Sequence, residues 1–157
     1  MNSPRPIAPD GLWLDDIAEG ATFVTDTHTV DTAEILEFAR RYDPQVFHTD
    51  PDGASGTFFD GLAASGWHVA AITMSLVVTS GLPVATGIVG GGAELTWPSA
   101  TRPGDVLRVT ATIDSIKRST SQPARAWVSL TQHTVNQRDE VRQIARPRIL
   151  MWDRPSA

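Results

Sequence analysis

There is no cysteine in this 157-residue chain, which excludes disulfides and thiolate metal sites at once and fits, without requiring, a reducing cytoplasmic setting. Basic residues are also few: thirteen Lys and Arg stand against eighteen Asp and Glu, for a formal charge of −5. They are scattered apart from Lys117-Arg118 and the group Arg142, Arg146 and Arg148, so there is no basic footprint for nucleic acid. The first nine residues are proline-rich and lack the apolar core of a signal peptide. Residues 1–13 are therefore expected to form a flexible amino-terminal arm, 14–152 one domain and 153–157 a tail. With 41% hydrophobic residues, the chain is long enough for one well-buried core and too short for two.

What is present is punctuated clearly. Leu12, Trp13, Leu14 and Ile17 make a short apolar patch suited to packing over a domain edge. Residues 21–30 are threonine-rich without Pro or Gly and are predicted to be a strand. Asp31 followed by Glu34 reads as an N-cap with its capping-box partner, and Ile35, Phe38, Ala39 and Tyr42 recur at helical spacing until Pro44. A helix thus delivers Asp43, and Pro44 forces that residue toward an extended conformation.

Residues 50–60 mix Pro, Gly, Ser and Thr with Phe58 and Phe59, which predicts an irregular excursion whose two rings are either walls for an apolar ligand or core packing. From residue 62 to about 79 the chain is apolar nearly all round, as in a helix buried in protein. Ser65, Gly66, His68, Thr73 and Ser75 interrupt it, and no Lys or Arg flanks it, which argues against a membrane span. His68 is expected to be a hydrogen-bonded structural residue.

Beyond Gly81-Leu82-Pro83 the pattern is strands and turns. The glycines 87, 90, 91 and 92 match no nucleotide fingerprint and predict a strand that a helix or ligand approaches closely. Pro103-Gly104-Asp105 is a tight turn, and Leu107, Val109, Ala111 and Ile113 alternate as a half-buried strand does. Two more strands follow, over 124–135 and 140–151, with Pro147 marking an edge, a bulge or an early end. The sum is an α+β domain, a curved antiparallel sheet wrapped round a long central helix.

The chemistry-bearing stretch is Tyr42-Asp43-Pro44-Gln45-Val46-Phe47-His48. A carboxylate and an imidazole five positions apart can poise a water for general acid/base work near neutral pH. Alone, Asp43-Pro44 would be a helix stop and His48 an ordinary polar residue. His48, Asp50 and Asp52 imitate a metal cluster, but Pro51 and the lack of a second histidine argue against zinc.

Asp43 to His48, with Gly66 eighteen positions further on in Ala-Ser-Gly-Trp-His, resembles the motif of the MaoC-like dehydratases and (R)-specific enoyl-CoA hydratases over about residues 20–151. Gln45 and Val46 stand where that motif commonly has Asn and Pro. The resemblance implies a hotdog fold and reversible hydration of a 2-enoyl-CoA thioester, of the kind met in fatty acid metabolism. It implies Asp43 and His48 as the catalytic pair and the Gly66 N–H as oxyanion donor. Phe58, Phe59, Ser65 and Trp67 are expected to bind substrate. Coenzyme A enters as part of the substrate, with no separate cofactor and no metal, and the family habit implies a homodimer. Arg102, Lys117 and Arg118, placed in turns, are either contacts for the coenzyme phosphates or solvated surface. A hotdog thioesterase and a non-catalytic acyl-thioester-binding module remain the alternative functions.

Overall fold

The computed structural model describes residues 4–156. Its centre is a helix, α3 (Gly66–Leu76), that continues through a wider π-helical turn at Val77–Gly81. Around it curves a six-stranded antiparallel sheet in the order β1 (Thr22–Val24), β4 (Val106–Arg118), β5 (Arg125–Val135), β6 (Val141–Trp152) and β3 (Val89–Thr96), with β2 (His28–Thr29) also paired to β4. Strict alternation drives this arrangement: Leu107, Val109, Ala111 and Ile113 of β4 and Ala126, Val128 and Leu130 of β5 all turn inward onto Val69, Ile72, Leu76 and Val77 of the helix. Each Val, Leu or Ile among them contributes about 1.5–3 kcal/mol by leaving water. This is the hotdog arrangement. No described helix is long and apolar enough to cross a membrane.

The hydroxyl of Thr73, buried on the helix, is satisfied by the sheet. Thr73 Oγ1 lies 2.7 Å from Thr134 Oγ1 and accepts from Gln143 Nε2, while Gln143 Oε1 accepts from Trp97 Nε1 at 2.9 Å. One chain of hydrogen bonds therefore joins α3, β5 and β6 to the indole that follows β3. A second buried network centres on Asp105, which accepts from Arg142 Nε (2.9 Å), Asn136 Nδ2 (3.0 Å) and the Arg102 backbone N–H (2.9 Å). Burial raises the Asp105 carboxyl, but these donors and the Arg142 charge outweigh it and hold the group below its ordinary range. The turn at Gly104, with φ of 89°, brings Asp105 inward, and with it the segment 98–102 is fastened to the sheet.

Helix α1 (Thr32–Tyr42) begins where expected: the Asp31 side chain accepts from the Glu34 N–H at 2.8 Å, a cap worth roughly 0.5–2 kcal/mol. The Glu34 carboxylate does not close the capping box and turns instead to His28 Nε2 at 2.9 Å. Three further expectations are corrected. The strand predicted over 21–30 is split into β1 and β2, because the Thr25 hydroxyl donates to Asp26 O and accepts from Val109 N, replacing part of the backbone ladder. The long helix starts at Gly66, with residues 62–65 leading in and Ser65 as N-cap. Pro147 sits inside central strand β6, paired to Ala93 on one side, while pairing with β5 lapses between Arg148 and Ala145 and resumes in register. Close to the backbone at Gly91 lies the Trp127 side chain, whose ring would be 2.5 Å from an added Cβ.

The arm expected over 1–13 is shorter. Met1, Asn2 and Ser3 lie outside the described residues, but Ile7 and Ala8 donate to Ala85 O, Leu12 N donates to Pro83 O and Leu12 O accepts from Ala85 N, and Trp13 is buried. Of the tail, Asp153 donates its N–H to Ala124 O and Arg154 to the Asp15 carboxylate, while Ala157 lies outside the described residues.

Candidate active site

Two helix ends and the loop between them build the site. Asp43 is the C-cap of α1, at φ −152° and ψ 68°, the departure from helix that Pro44 imposes. Pro44 and Gln45 turn the chain, and one helical turn, α2 (Val46–Thr49), returns His48 to the interior. Asp43 Oδ2 and His48 Nε2 then stand 3.4 Å apart.

Every other atom of the pair is spoken for. Ser65 Oγ donates to Asp43 Oδ2 and Gln45 Nε2 to Asp43 Oδ1, both at 2.7 Å. His48 Nδ1 lies 2.6 Å from the Ala63 carbonyl. A carbonyl only accepts, so Nδ1 carries the hydrogen, and in the neutral ring Nε2 turns its lone pair toward the carboxylate. Burial raises the Asp43 carboxyl, yet the Ser65 and Gln45 donors and the His48 charge more than offset it, and the group stays below its ordinary range.

Gly66 opens α3, and its N–H belongs to the first turn, whose donors have no carbonyl within the helix. It takes no partner among the described residues. The residue must be small: a Cβ there would meet Trp97 Cε2 at 2.6 Å. His48 and Gly66 share the lining of a cleft of about 490 Å³ with Phe58, Phe59, Trp97 and Arg102. A second, smaller cavity of about 170 Å³ lies under the C-terminal half of α3, among Met74, Val77, Leu130 and Ile149.

The predicted substrate contacts divide. Phe58 and Phe59 do line the cleft, whereas Ser65 is buried behind Asp43 and Trp67 is 61% exposed, packed edge-on to Trp97 and outside the lining. Ser65 thus holds the carboxylate rather than facing the cleft. Of the basic residues considered for the coenzyme phosphates, Arg102 lines the cleft, but its guanidinium donates to the carbonyls of Phe59, Gly61 and Leu62. Arg118 is forked onto Asp153, and neither it nor Lys117 reaches the cleft. His68 is not hydrogen-bonded as expected: Nε2 is 3.7 Å from Glu34 Oε1, and the buried Nδ1 has no partner. Trp97 and the wall at 98–101 escaped the sequence reading, since their placement rests on long-range contacts to β6.

This fold and this carboxylate–imidazole pair define a hotdog domain of the dehydratase type. The MaoC like domain family matches residues 16–136, and the chain belongs to that family. The structure is similar to that of a MaoC-like dehydratase from Rhodospirillum rubrum, 51% identical, with a TM-score of 0.91 over 93% of this chain and 100% of that one. It also resembles the R-hydratase PhaJ1 from Pseudomonas aeruginosa, 19% identical, with a TM-score of 0.72 over 92% of this chain and 88% of that one, a likeness of fold. The uncharacterized protein YdeM of Bacillus subtilis is 37% identical over 70 residues, 45% of this chain; the match spans about half (50%) of that relative's length.

Proposed function

We propose that the protein is a hydro-lyase that reversibly adds water to a 2-enoyl-CoA thioester, giving the 3-hydroxyacyl-CoA. The observation that carries the proposal is the facing of Asp43 Oδ2 and His48 Nε2, 3.4 Å apart, with Nδ1 turned to the Ala63 carbonyl, so that a neutral ring presents its Nε2 lone pair to the carboxylate. A water donating one hydrogen to each satisfies both and turns an oxygen lone pair away from the pair, toward an electron-poor β-carbon. As that oxygen attacks, one of its protons passes to the pair, and the conjugate acid returns a proton to the α-carbon. Charge gathering on the thioester oxygen is met by the Gly66 N–H and the positive end of α3. The sequence match to dehydratases and the fold shared with a protein described as an R-hydratase support the same reaction.

No separate cofactor is needed, because coenzyme A arrives with the substrate. A homodimer is supported by the open edge of β3, whose residues are largely exposed, and by the exposed Met74 of α3 and Val78 of the π-helical turn; a second copy paired there would continue the sheet. A cytoplasmic enzyme of fatty acid metabolism is consistent with a cysteine-free acidic chain.

Crotonyl-CoA, followed by loss of the conjugated thioester absorbance, tests the reading. Turnover that vanishes in Asp43→Asn supports it. Release of free thiol without loss of the double bond would instead assign a thioesterase, and tight binding without any turnover a binding module.

A further inference from the structure

We propose that the acyl group this cleft is shaped for carries a planar aromatic ring, so that the preferred substrate is an aryl-bearing 3-hydroxyacyl or 2-enoyl thioester; the proposal rests on the hydro-lyase reading above. Starting from the catalytic imidazole, aromatic rings run outward in sequence. Phe47 meets His48 edge-on at 4.6 Å, Phe59 meets Phe47 at 5.0 Å and 65°, and Phe58 meets Phe59 at 5.2 Å and 85°. These are edge-to-face distances and angles, each leaving ring surface free for another aromatic partner.

At the outer end, Phe58 is 94% exposed although it belongs to the cleft lining. A phenylalanine that gains nothing from its own core is a candidate for burial by a ligand. Trp97 contributes a further ring to the same lining, held by its hydrogen bond to Gln143 and by contact with the backbone of Gly66.

Two further facts separate this wall from a loose flap and from a seat for the coenzyme's charged tail. The loop is tied internally, with Gly61 N donating to Ala54 O, Asp60 N to Thr57 O and Gly56 N to the Asp60 carboxylate. Arg102 straps the loop from outside through the carbonyls of Phe59, Gly61 and Leu62. The rings are therefore preorganised, which favours a rigid planar ligand over a flexible alkyl chain that must be ordered on binding. The same strap engages the guanidinium of Arg102, the one Lys or Arg side chain that lines the cleft, leaving walls suited to a neutral ring and poorly suited to phosphates.

In the dehydration direction the α-proton passes to the Asp43–His48 pair, the bond between the β-carbon and its hydroxyl oxygen breaks, and that oxygen leaves as water on taking a proton from the pair. Nothing is oxidised or reduced. The ring takes no part in the bonds that change.

The test uses racemic 3-hydroxyacyl-CoA substrates with the purified full chain. The key trio has ten acyl carbons each: 3-hydroxy-4-phenylbutanoyl, 3-hydroxy-4-cyclohexylbutanoyl and 3-hydroxydecanoyl, with 3-hydroxybutanoyl as the small reference. A methylene between ring and reacting carbon keeps benzylic activation out of the comparison. Expected is a kcat/KM for the phenyl substrate about three- to tenfold above both equal-sized partners, the range typical of aromatic pairs. That preference should shrink toward unity in Phe58→Leu and in Phe59→Leu.

Turnover of the small reference with the linear chain equal to or better than the phenyl substrate overturns this inference and leaves the hydro-lyase reading standing. Turnover of none of the four overturns both. If Phe58→Leu weakens every coenzyme A thioester equally relative to N-acetylcysteamine thioesters, Phe58 seats the coenzyme and the inference is wrong. It is equally wrong if that variant changes the oligomeric state and leaves the preference intact.

Discussion

His48 Nε2 lies 3.4 Å from Asp43 Oδ2 while Nδ1 of the same ring is hydrogen-bonded to the Ala63 carbonyl, so the ring's tautomer and its aim are set by one backbone oxygen. The pair should act as a unit. Asp43→Asn and His48→Gln are each expected to lower kcat/KM by about 10²–10⁴. The double variant should be little worse than either single one, because the proposed reaction has both groups hold the same water. Steady-state kinetics on crotonyl-CoA checks this, and independent, multiplying losses would mean that the two side chains serve different steps.

The support of the carboxylate makes a second prediction. Ser65 and Gln45 each donate to Asp43, and with the His48 charge they overcome the upward push of burial. Ser65→Ala removes one donor, so the Asp43 carboxyl should titrate at higher pH than in the parent protein. Because its folded value is depressed, Asp43 contributes stability above its unfolded pKa, and that contribution is lost as pH falls through the folded value. The variant should lose it sooner on acidification. Carboxyl carbon NMR follows the titration directly, and an unmoved Asp43 resonance would show that Ser65 acts only as the α3 cap.

Much of this was legible in the chain because its signals are local. Asp31 and Glu34 marked the start of α1, Pro44 its end, and the alternation from Leu107 to Ile113 the strand that forms the floor of the core. Sequence periodicity failed where a side chain took over a backbone role, as Thr25 does in splitting β1 from β2. The site shows the same division. Asp43, His48 and Gly66 are close in sequence and were found together, whereas Trp97 reaches Gly66 only because Gln143, 46 residues away, fixes its indole. Ser65 was read as facing substrate because spacing reports that a residue lies near a site, not which way its hydroxyl points. Its bond to Asp43 spans 22 positions.

Gly66 should tolerate no side chain. A Cβ would fall 2.6 Å from Trp97 Cε2 and 2.8 Å from Cδ2, and the indole cannot retreat freely while Gln143 holds its nitrogen. Gly66→Ala is expected to destabilise the fold by about 1–3 kcal/mol, the usual range for overpacking. Trp97→Leu in the same background should recover part of that stability. Urea unfolding of the two variants measures it, and an undisturbed Gly66→Ala midpoint would mean that the indole is not held over the helix start.

The last prediction concerns His68 and acid stability. The ring is 7% exposed, stacked on Phe38 at 4.7 Å, with an unpartnered Nδ1. Burial lowers its pKa; nearby Glu34 opposes this and His28 reinforces it, leaving the value below the ordinary histidine range. Since the folded state resists protonation, the unfolded state binds the proton more readily once the pH drops below about 6.5. The neutral ring's contribution to stability is thus complete above that pH and declines on acidification toward the lower folded value. Urea midpoints of the parent and of His68→Leu, compared from pH 8 down to pH 5, should show a shallower fall in the variant, because its leucine has no proton to gain. Parallel curves would mean that His68 takes up its proton equally readily in the folded and the unfolded state.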